Sequence, residues 1–191
     1  CHLHFQFQVS NLDRALTKLI QDLKLTGIDR ACLMDGPRRG YRSREDLFEV
    51  VRSIEYIMGN DEYAEYFFPM LWVNPLLPIG FLKELIDEHI LKGPIVGIKL
   101  KKINARDRRL LPLAEYLEEH DIPVLFHCWY HSWYNQYFPI NNKDQFQSDP
   151  SDIAFLAGKF PSLRITAAHL NGNRLRGIQD VKPYKNISMD T

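Results

Sequence analysis

The feature that most constrains the fold is a regular alternation of short apolar runs with longer segments of helical periodicity. Segments such as NLDRALTKLIQDLKLTG repeat apolar residues every three or four positions, and this one ends at Gly27. Between such segments lie continuously apolar runs such as PIVGIKL and IPVLFHC. Strands of that kind are typical of parallel sheets that helices cover on both faces. The sequence therefore predicts an α/β fold of about six strand–helix repeats followed by one more strand.

Two parallel architectures fit this alternation, and the first strand distinguishes them. A doubly wound sheet normally carries a glycine-rich phosphate turn after its first strand. Here the first strand carries His2, Leu3 and His4 instead. A (β/α)8 TIM-like barrel fits better, because its active site is built from the carboxyl ends of its strands and the loops beyond them. We predict that residues 1–191 form a single TIM-barrel domain.

The number of strands suggests that this domain is partial. Seven strands are expected, ending near His4, Met34, Asn74, Leu100, His127, His169 and Thr191. A closed barrel of this type has eight strands and typically takes about 250 residues. The chain begins within its first strand and stops within its seventh, so we expect a barrel domain truncated at both ends.

Several helices carry boundary signals of their own. Ser43 precedes the periodic segment REDLFEVVRSIEYIM and is a suitable N-cap, while Gly59 is suited to ending the same helix. Pro112 lies in a further helical segment and must occupy its first turn or kink it.

Composition narrows the choice of partners. The 24 basic and 24 acidic residues balance, and no basic run is long enough to bind a phosphate backbone, so nucleic acid is not an expected partner. No apolar run reaches the roughly 18 residues of a membrane-spanning helix, so no membrane partner is expected. The 3 cysteines are an odd number without regular spacing. They favour a reducing, cytoplasmic location over a disulfide framework.

The segment CHLHF presents the first candidate site residues. His2 and His4 are two positions apart, and residues at that spacing on a strand point to the same face. Two neighbouring imidazoles suit a divalent metal ion. On their own they are a weak signal, and a lone pair of this kind is more often two polar residues at the end of a strand.

Two further histidines strengthen the metal interpretation. His127 and His169 each close a predicted strand and are expected at the same rim of the barrel as His2 and His4. A catalytic zinc ion takes three protein ligands and keeps one position open. We predict one divalent metal ion, zinc, on His2, His4 and His127. His169 is then the predicted catalytic residue, acting on the bound water or on the substrate.

Other residues of ligand type are interpreted as structural. Cys1 and Cys128 neighbour predicted ligands on a strand and should face the opposite way, into the core. His89 and His120 fall on helices, and His120 is placed near a helix carboxyl terminus, where it is electrostatically favourable.

Five short motifs, in this order, resemble the amidohydrolase superfamily, and in particular its amidohydrolase-2 branch of metal-dependent hydrolases and decarboxylases. They are CHLHF, GIKL, VLFHC, AAHLNG and NISMDT. The resemblance implies the same metal ligands, His2, His4 and His127, and a substrate or acid/base role for His169. The family also has a metal-binding Asp at the end of strand 8. Asp190 falls on strand 7 and matches a different position, so this role is not transferred to it.

The resemblance also bears on Lys99 in the GIKL motif. In binuclear members of the superfamily, a carbamylated lysine of strand 4 bridges two metal ions. We interpret Lys99 instead as a residue at the barrel mouth that binds an anionic group of the substrate.

Two predicted rim loops supply further substrate-binding candidates. Arg38 and Arg39, in DGPRRGYR, could bind a substrate carboxylate in a bidentate manner, or they could belong to a solvated basic loop. Trp129 and Tyr130 open the aromatic segment WYHSWYNQYF. That segment could line the site for a flat substrate, or pack against a neighbouring subunit of a homo-oligomer.

Three functions fit these observations. The first is a metal-dependent hydrolase that activates water to cleave an ester, lactone or amide bond of a small molecule. The second is a metal-dependent decarboxylase of an aromatic or unsaturated carboxylic acid. The third is a ligand-binding barrel without catalytic turnover.

Overall fold

A computed structural model describes residues 2–5, 11–35, 43–101, 103–128, 148–171 and 174–190. The chain divides into two compact units. The first comprises residues 1–73 and 85–97, and the second comprises residues 74–84 and 98–191. In each unit parallel strands alternate with helices, which confirms the predicted α/β class.

The first unit contains three parallel strands. Its elements are β1 (His2–Phe5), α1 (Leu12–Leu25), β2 (Ala31–Asp35), α2 (Arg44–Met58), α3 (Asp61–Ala64) and β3 (Phe67–Trp72). Strand β2 lies between β1 and β3, with Met34 opposite His4 on one side and opposite Met70 on the other. Both the order and the direction of these strands are those expected of successive strand–helix repeats.

The helices of this unit form where the sequence pattern predicts them. Helix α1 buries Leu16, Ile20 and Leu23, which recur along one face. Helix α2 begins with a capping box, in which the Ser43 hydroxyl accepts a bond from the Asp46 N–H and the Asp46 carboxylate accepts one from the Ser43 N–H. It ends at Gly59, as predicted. The short helix α3 was not predicted; the Asn60 side chain caps it by accepting a bond from the Glu62 N–H.

Residues 73–96 connect the third and fourth strands. They carry α4 (Ile79–Ile86), which continues as a π-helical turn (Asp87–Leu91). Strand β4 follows at Gly97–Leu100.

In the second unit, β4 to β7 pair in parallel and in chain order. The elements after β4 are a 3-10 helix (Arg108–Leu110), α5 (Leu111–Glu119), β5 (Val124–Phe126), α6 (Pro150–Lys159), β6 (Ile165–Ala167), a 3-10 helix (Ala168–Asn171), α7 (Arg174–Val181) and β7 (Ile187–Met189). Pro112 lies in the first turn of α5 and does not kink it. The carboxyl ends of the four strands lie level, because Leu100 pairs with Phe126, Phe126 with Ala167, and Ala167 with Met189.

All seven predicted strands are present among the described residues, although β5 ends one residue before His127 and β7 ends one residue before Asp190. Strand β6 ends at Ala167, so His169 lies in the following 3-10 helix rather than on the strand itself. The interpretation of Cys128 as a core residue is confirmed, since it is buried, while Cys1 lies outside the described residues. In the described ranges, no helix has both the length and the apolar character that crossing a membrane requires.

Candidate functional site

The level strand ends of the second unit bring several polar side chains to one edge of its sheet. Lys99 is the penultimate residue of β4, and His127 directly follows β5. His169 is the second residue after β6, and Asp190 directly follows β7. The backbone continues the ladder at this edge, because the His127 N–H donates to the Leu100 carbonyl over 2.8 Å. The carboxyl ends of parallel strands are where enzymes of this architecture assemble their active sites.

Two of the predicted site residues, His127 and His169, are neighbours. Their ring centroids are 5.0 Å apart and their planes are inclined by 74°. Both side chains are half-buried, so they lie between the core and solvent. Imidazoles in such a position can transfer protons near neutral pH or bind a transition metal.

The backbone of His169 is in an unusual conformation. Its φ is +72°, in the left-handed region that residues with a side chain rarely adopt. Its N–H donates to the Asp190 Oδ1 over 2.8 Å. Backbone strain of this kind persists only where the surroundings hold it in place, and it is common at functional sites.

Asp190 is the site residue that the sequence analysis did not assign. Its own N–H donates to the Ala167 carbonyl over 3.2 Å, so it is attached to the end of β6 by its backbone as well as by its side chain. One signal could have identified it. Asp190 lies at the end of a predicted strand, as the candidate histidines do, and strand ends are where this architecture gathers polar residues.

Lys99 is almost completely buried, with 1% of its surface exposed. Among the described residues its Nζ has no hydrogen-bond partner. Burial lowers the pKa of Lys99 from 10.5 to about 8, against the opposing effect of the Asp190 carboxylate, and the Lys101 cation lowers it further. Lys99 is therefore a charged group that the fold holds in an unfavourable environment at neutral pH.

Cys128 lies beside His127 but has the properties of a core thiol. Burial raises the pKa of Cys128 to about 12, so the thiol stays protonated at neutral pH. Only the thiolate form of cysteine binds zinc well. This environment does not favour Cys128 as a metal ligand.

The first unit carries the other predicted histidine pair. The rings of His2 and His4 have centroids 5.4 Å apart and planes inclined by 87°. Imidazoles are suitable donors for zinc and for other transition metals. Within the part of the chain that the structure describes, no group of three or more His, Cys, Asp or Glu side chains is arranged to hold a metal ion. The ligand set of His2, His4 and His127 remains a prediction.

Four predicted substrate-binding residues lie outside the described residues. These are Arg38, Arg39, Trp129 and Tyr130. Their roles also remain predictions.

Comparison with known proteins gives one family match. The model of the family described as Amidohydrolase matches residues 63–188, which include β4 to β6, with Lys99, His127 and His169, and end within β7. No curated protein is significantly similar to the chain.

Several solved structures share the fold. The structure of 4-oxalomesaconate hydratase from Rhodopseudomonas palustris aligns with 96% of this chain over 63% of its own length, at 16% identity and a TM-score of 0.60. A Pseudomonas putida protein assigned as a 2-pyrone-4,6-dicarboxylic acid hydrolase covers 98% and 66%, at 14% identity and a TM-score of 0.57. A Staphylococcus aureus protein assigned as an amidohydrolase covers 92% and 67%, at 10% identity and a TM-score of 0.62.

These similarities establish the fold. They confirm the predicted TIM-like barrel architecture, of which the described residues supply seven strands. The chain spans at most about two thirds of the length of these three structures.

Proposed function

Because this chain belongs to the amidohydrolase family, we propose that it carries the catalytic barrel of a metal-dependent hydrolase that cleaves an ester, lactone or amide bond in a small molecule. One observation supports this proposal more than any other. The ends of β4 to β7 gather a buried amine, two adjacent imidazoles and a carboxylate at one edge of a parallel sheet. These are the group types that acid–base catalysis and anion binding require.

The proposed cofactor is one divalent metal ion, zinc, with His2, His4 and His127 as its ligands. The support is the donor chemistry, since all three are imidazoles, together with the family match. When bound, such an ion lowers the pKa of water and polarises a carbonyl group.

His169 is the proposed acid–base residue. An imidazole has an ordinary pKa close to neutrality, so it can accept or donate a proton at physiological pH. His169 also has a fixed backbone and lies beside His127, which favours a constant ring position. In this proposal, His169 orients the substrate and stabilises the oxyanion that develops on the attacked carbonyl.

The proposed substrate is a carboxylate. A buried cation attracts an anionic group strongly, because little water screens it, and Lys99 is such a cation. The names of the hydratase and of the Pseudomonas putida protein refer to oxalomesaconate and to a dicarboxylic acid. Arg38 and Arg39 are proposed as further carboxylate contacts, and Trp129 and Tyr130 as the wall against a flat substrate.

One sequence observation favours a second function, decarboxylation of an aromatic or unsaturated carboxylic acid. The segment 129–138 contains six aromatic residues, which would suit a planar conjugated substrate. The same carboxylate-binding groups would then hold the reacting carboxylate itself.

Metal content of the full-length protein tests the proposal first. Purified without added metal or chelator, the wild type should contain about one equivalent of zinc or another transition metal. The His2→Ala variant should lose it, because one ligand is removed. The His120→Asn variant is the control: His120 caps α5 through a bond between its Nδ1 and the Tyr116 carbonyl, and its metal content should not change.

Substrate panels then separate the functions. Hydrolysis of lactones, with addition of one water per turnover, would support the hydrolase. Release of carbon dioxide without net addition of water would replace it with the decarboxylase. A folded protein that neither contains nor takes up metal would contradict both enzymatic functions and leave the ligand-binding barrel.

A further inference from the structure

The starting point is the strained backbone of His169. A left-handed conformation is unfavourable at a residue with a Cβ, so something must compensate for it. At φ +72°, His169 is one of two non-glycine residues in this region among those that the structure describes. Its backbone conformation sets the direction in which the imidazole leaves the chain.

The compensating contact comes from Asp190. The Asp190 Oδ1 accepts the His169 N–H over 2.8 Å, a bond in which the acceptor carries a charge. The Asp190 N–H in turn donates to the Ala167 carbonyl. Asp190 thus makes one hydrogen bond to Ala167, directly before the 3-10 helix, and one to His169 within that helix. Together these bonds fix the turn against the end of β7.

The Asp190 carboxylate interacts electrostatically with a buried cation. Lys99 is buried in β4, and the Asp190 carboxylate partly offsets the effect of burial on the pKa of Lys99. A carboxylate is also a stronger hydrogen-bond acceptor than a neutral oxygen.

We propose that Asp190 is a positioning residue of the candidate site, which holds His169 in its left-handed conformation and so keeps the His169 imidazole beside that of His127. This role rests on the proposed function only in its effect on turnover. The positioning itself is a property of the folded chain.

Amide hydrogen exchange at His169, followed by NMR in the full-length protein, tests the positioning directly. The Asp190→Ala variant removes the acceptor, so exchange of the His169 amide should accelerate about tenfold or more. The Asp190→Asn variant keeps an acceptor oxygen without the charge, and exchange should stay within about threefold of the wild-type rate. The ring resonances of His127 and His169 should shift together in Asp190→Ala.

Asp121→Ala is the matched control. Asp121, like Asp190, is an aspartate of the second unit. Its own φ is positive, at 53°, as is that of His169. Its carboxylate accepts a bond from the Arg164 Nε over 2.7 Å, in the turn that precedes β5, and it is exposed. Its replacement should leave both the His169 amide and the imidazole resonances unchanged.

Turnover provides the second readout. With a substrate in hand, Asp190→Ala should lower kcat by about tenfold or more and change KM by less than about threefold, because it alters the orientation of His169 rather than substrate binding. The Asp190→Asn variant should retain most of the wild-type kcat.

The outcomes are distinguishable from those of the proposed function. Unchanged exchange at His169 in Asp190→Ala would overturn the positioning role, whatever the protein catalyses. If exchange at His169 accelerated as much in Asp190→Asn as in Asp190→Ala, the role of the hydrogen bond would be overturned. Accelerated exchange in Asp190→Ala alone would support the positioning role even in a protein that fails every hydrolase assay.

Discussion

At the scale of single residues, Lys99 is buried, whereas an ordinary lysine lies in water. Its pKa is about 8 in the folded chain and 10.5 in the unfolded chain. Between these two pH values the unfolded chain binds more protons, so the free energy of unfolding should rise as the pH increases. The rise has an upper limit of about 3 kcal/mol, and urea denaturation at pH 7.5 to 10.5 would measure it.

The Lys99→Met variant isolates this contribution. The hydrogen bond to Asp13 raises the pKa of Tyr56, burial and then the same carboxylate raise the pKa of Tyr63, and ionisation of either tyrosine destabilises the folded chain at high pH. The difference between wild type and variant removes their effect. We expect Lys99→Met to be the more stable protein near pH 7, with the advantage shrinking as the pH increases. An advantage that does not change with pH would show that Lys99 keeps an ordinary pKa.

At this scale, a feature could be predicted where residues adjacent in the sequence determine it, and could not where distant residues do. His127 and His169 could be identified because they close apolar runs, which is a pattern of adjacent residues. The left-handed backbone of His169 could not, because it depends on an acceptor 21 positions further along the chain. The burial of Lys99 could not be predicted either, since GIKL suggests a lysine at the mouth and only the packed structure shows it enclosed.

At the scale of elements, Asn186 determines how β7 joins the second unit. Its Nδ2 lies within hydrogen-bonding distance of the carbonyls of Ala157, Phe160 and Leu163, at 3.3, 2.9 and 3.0 Å. These carbonyls belong to the end of α6 and to the turn that leads into β6. One amide group is therefore placed to donate its two hydrogens among the carbonyl acceptors of a half-buried turn.

Replacing this donor should destabilise the protein in a graded way. Asn186→Asp puts an acceptor opposite three acceptors, so we expect a loss of about 2 kcal/mol or more in the free energy of unfolding. Asn186→Ala removes the donor without adding repulsion and should cost less. Asn60→Asp is the matched control, because the Asn60 oxygen accepts from the Glu62 N–H, a bond that a carboxylate can also make. Equal effects at positions 60 and 186 would contradict this role of Asn186.

Element boundaries could be predicted wherever a side chain marks them. The capping box at Ser43, the terminal Gly59 and the first-turn Pro112 all lie where the sequence predicts them. Helix α3 and the 3-10 helix after β6 have only four residues each, too few for a hydrophobic period to be recognised.

At the scale of the whole molecule, the alternation of strands and helices was sufficient to predict the barrel architecture. Parallel strands must be joined by crossover segments, and these make the pattern long and regular. The metal site is different, because its ligands come from distant parts of the sequence. His2 and His4 belong to the first unit and His127 to the second, so their joint role remains a prediction.

Thermal unfolding with and without zinc tests that joint role. A ligand that binds only the folded state stabilises it by RT ln(1 + [L]/Kd), which is about 2.7 kcal/mol at a hundredfold excess over Kd. For a protein of this size, Tm should rise by roughly 5–10 °C in the wild type. The rise should disappear in His127→Ala as completely as in His2→Ala, if one metal ion uses both residues.

The control and the contrary results follow from the same measurement. His120→Asn changes the baseline stability at a helix end but removes no proposed ligand, so its zinc-induced shift should equal that of the wild type. If His2→Ala abolished the shift and His127→Ala preserved it, the zinc would be bound by the β1 pair without β5. If both variants kept the full shift, neither His2 nor His127 would be a ligand, and the buried amine, carboxylate and imidazoles of the second unit would have to act without a metal on this ligand set.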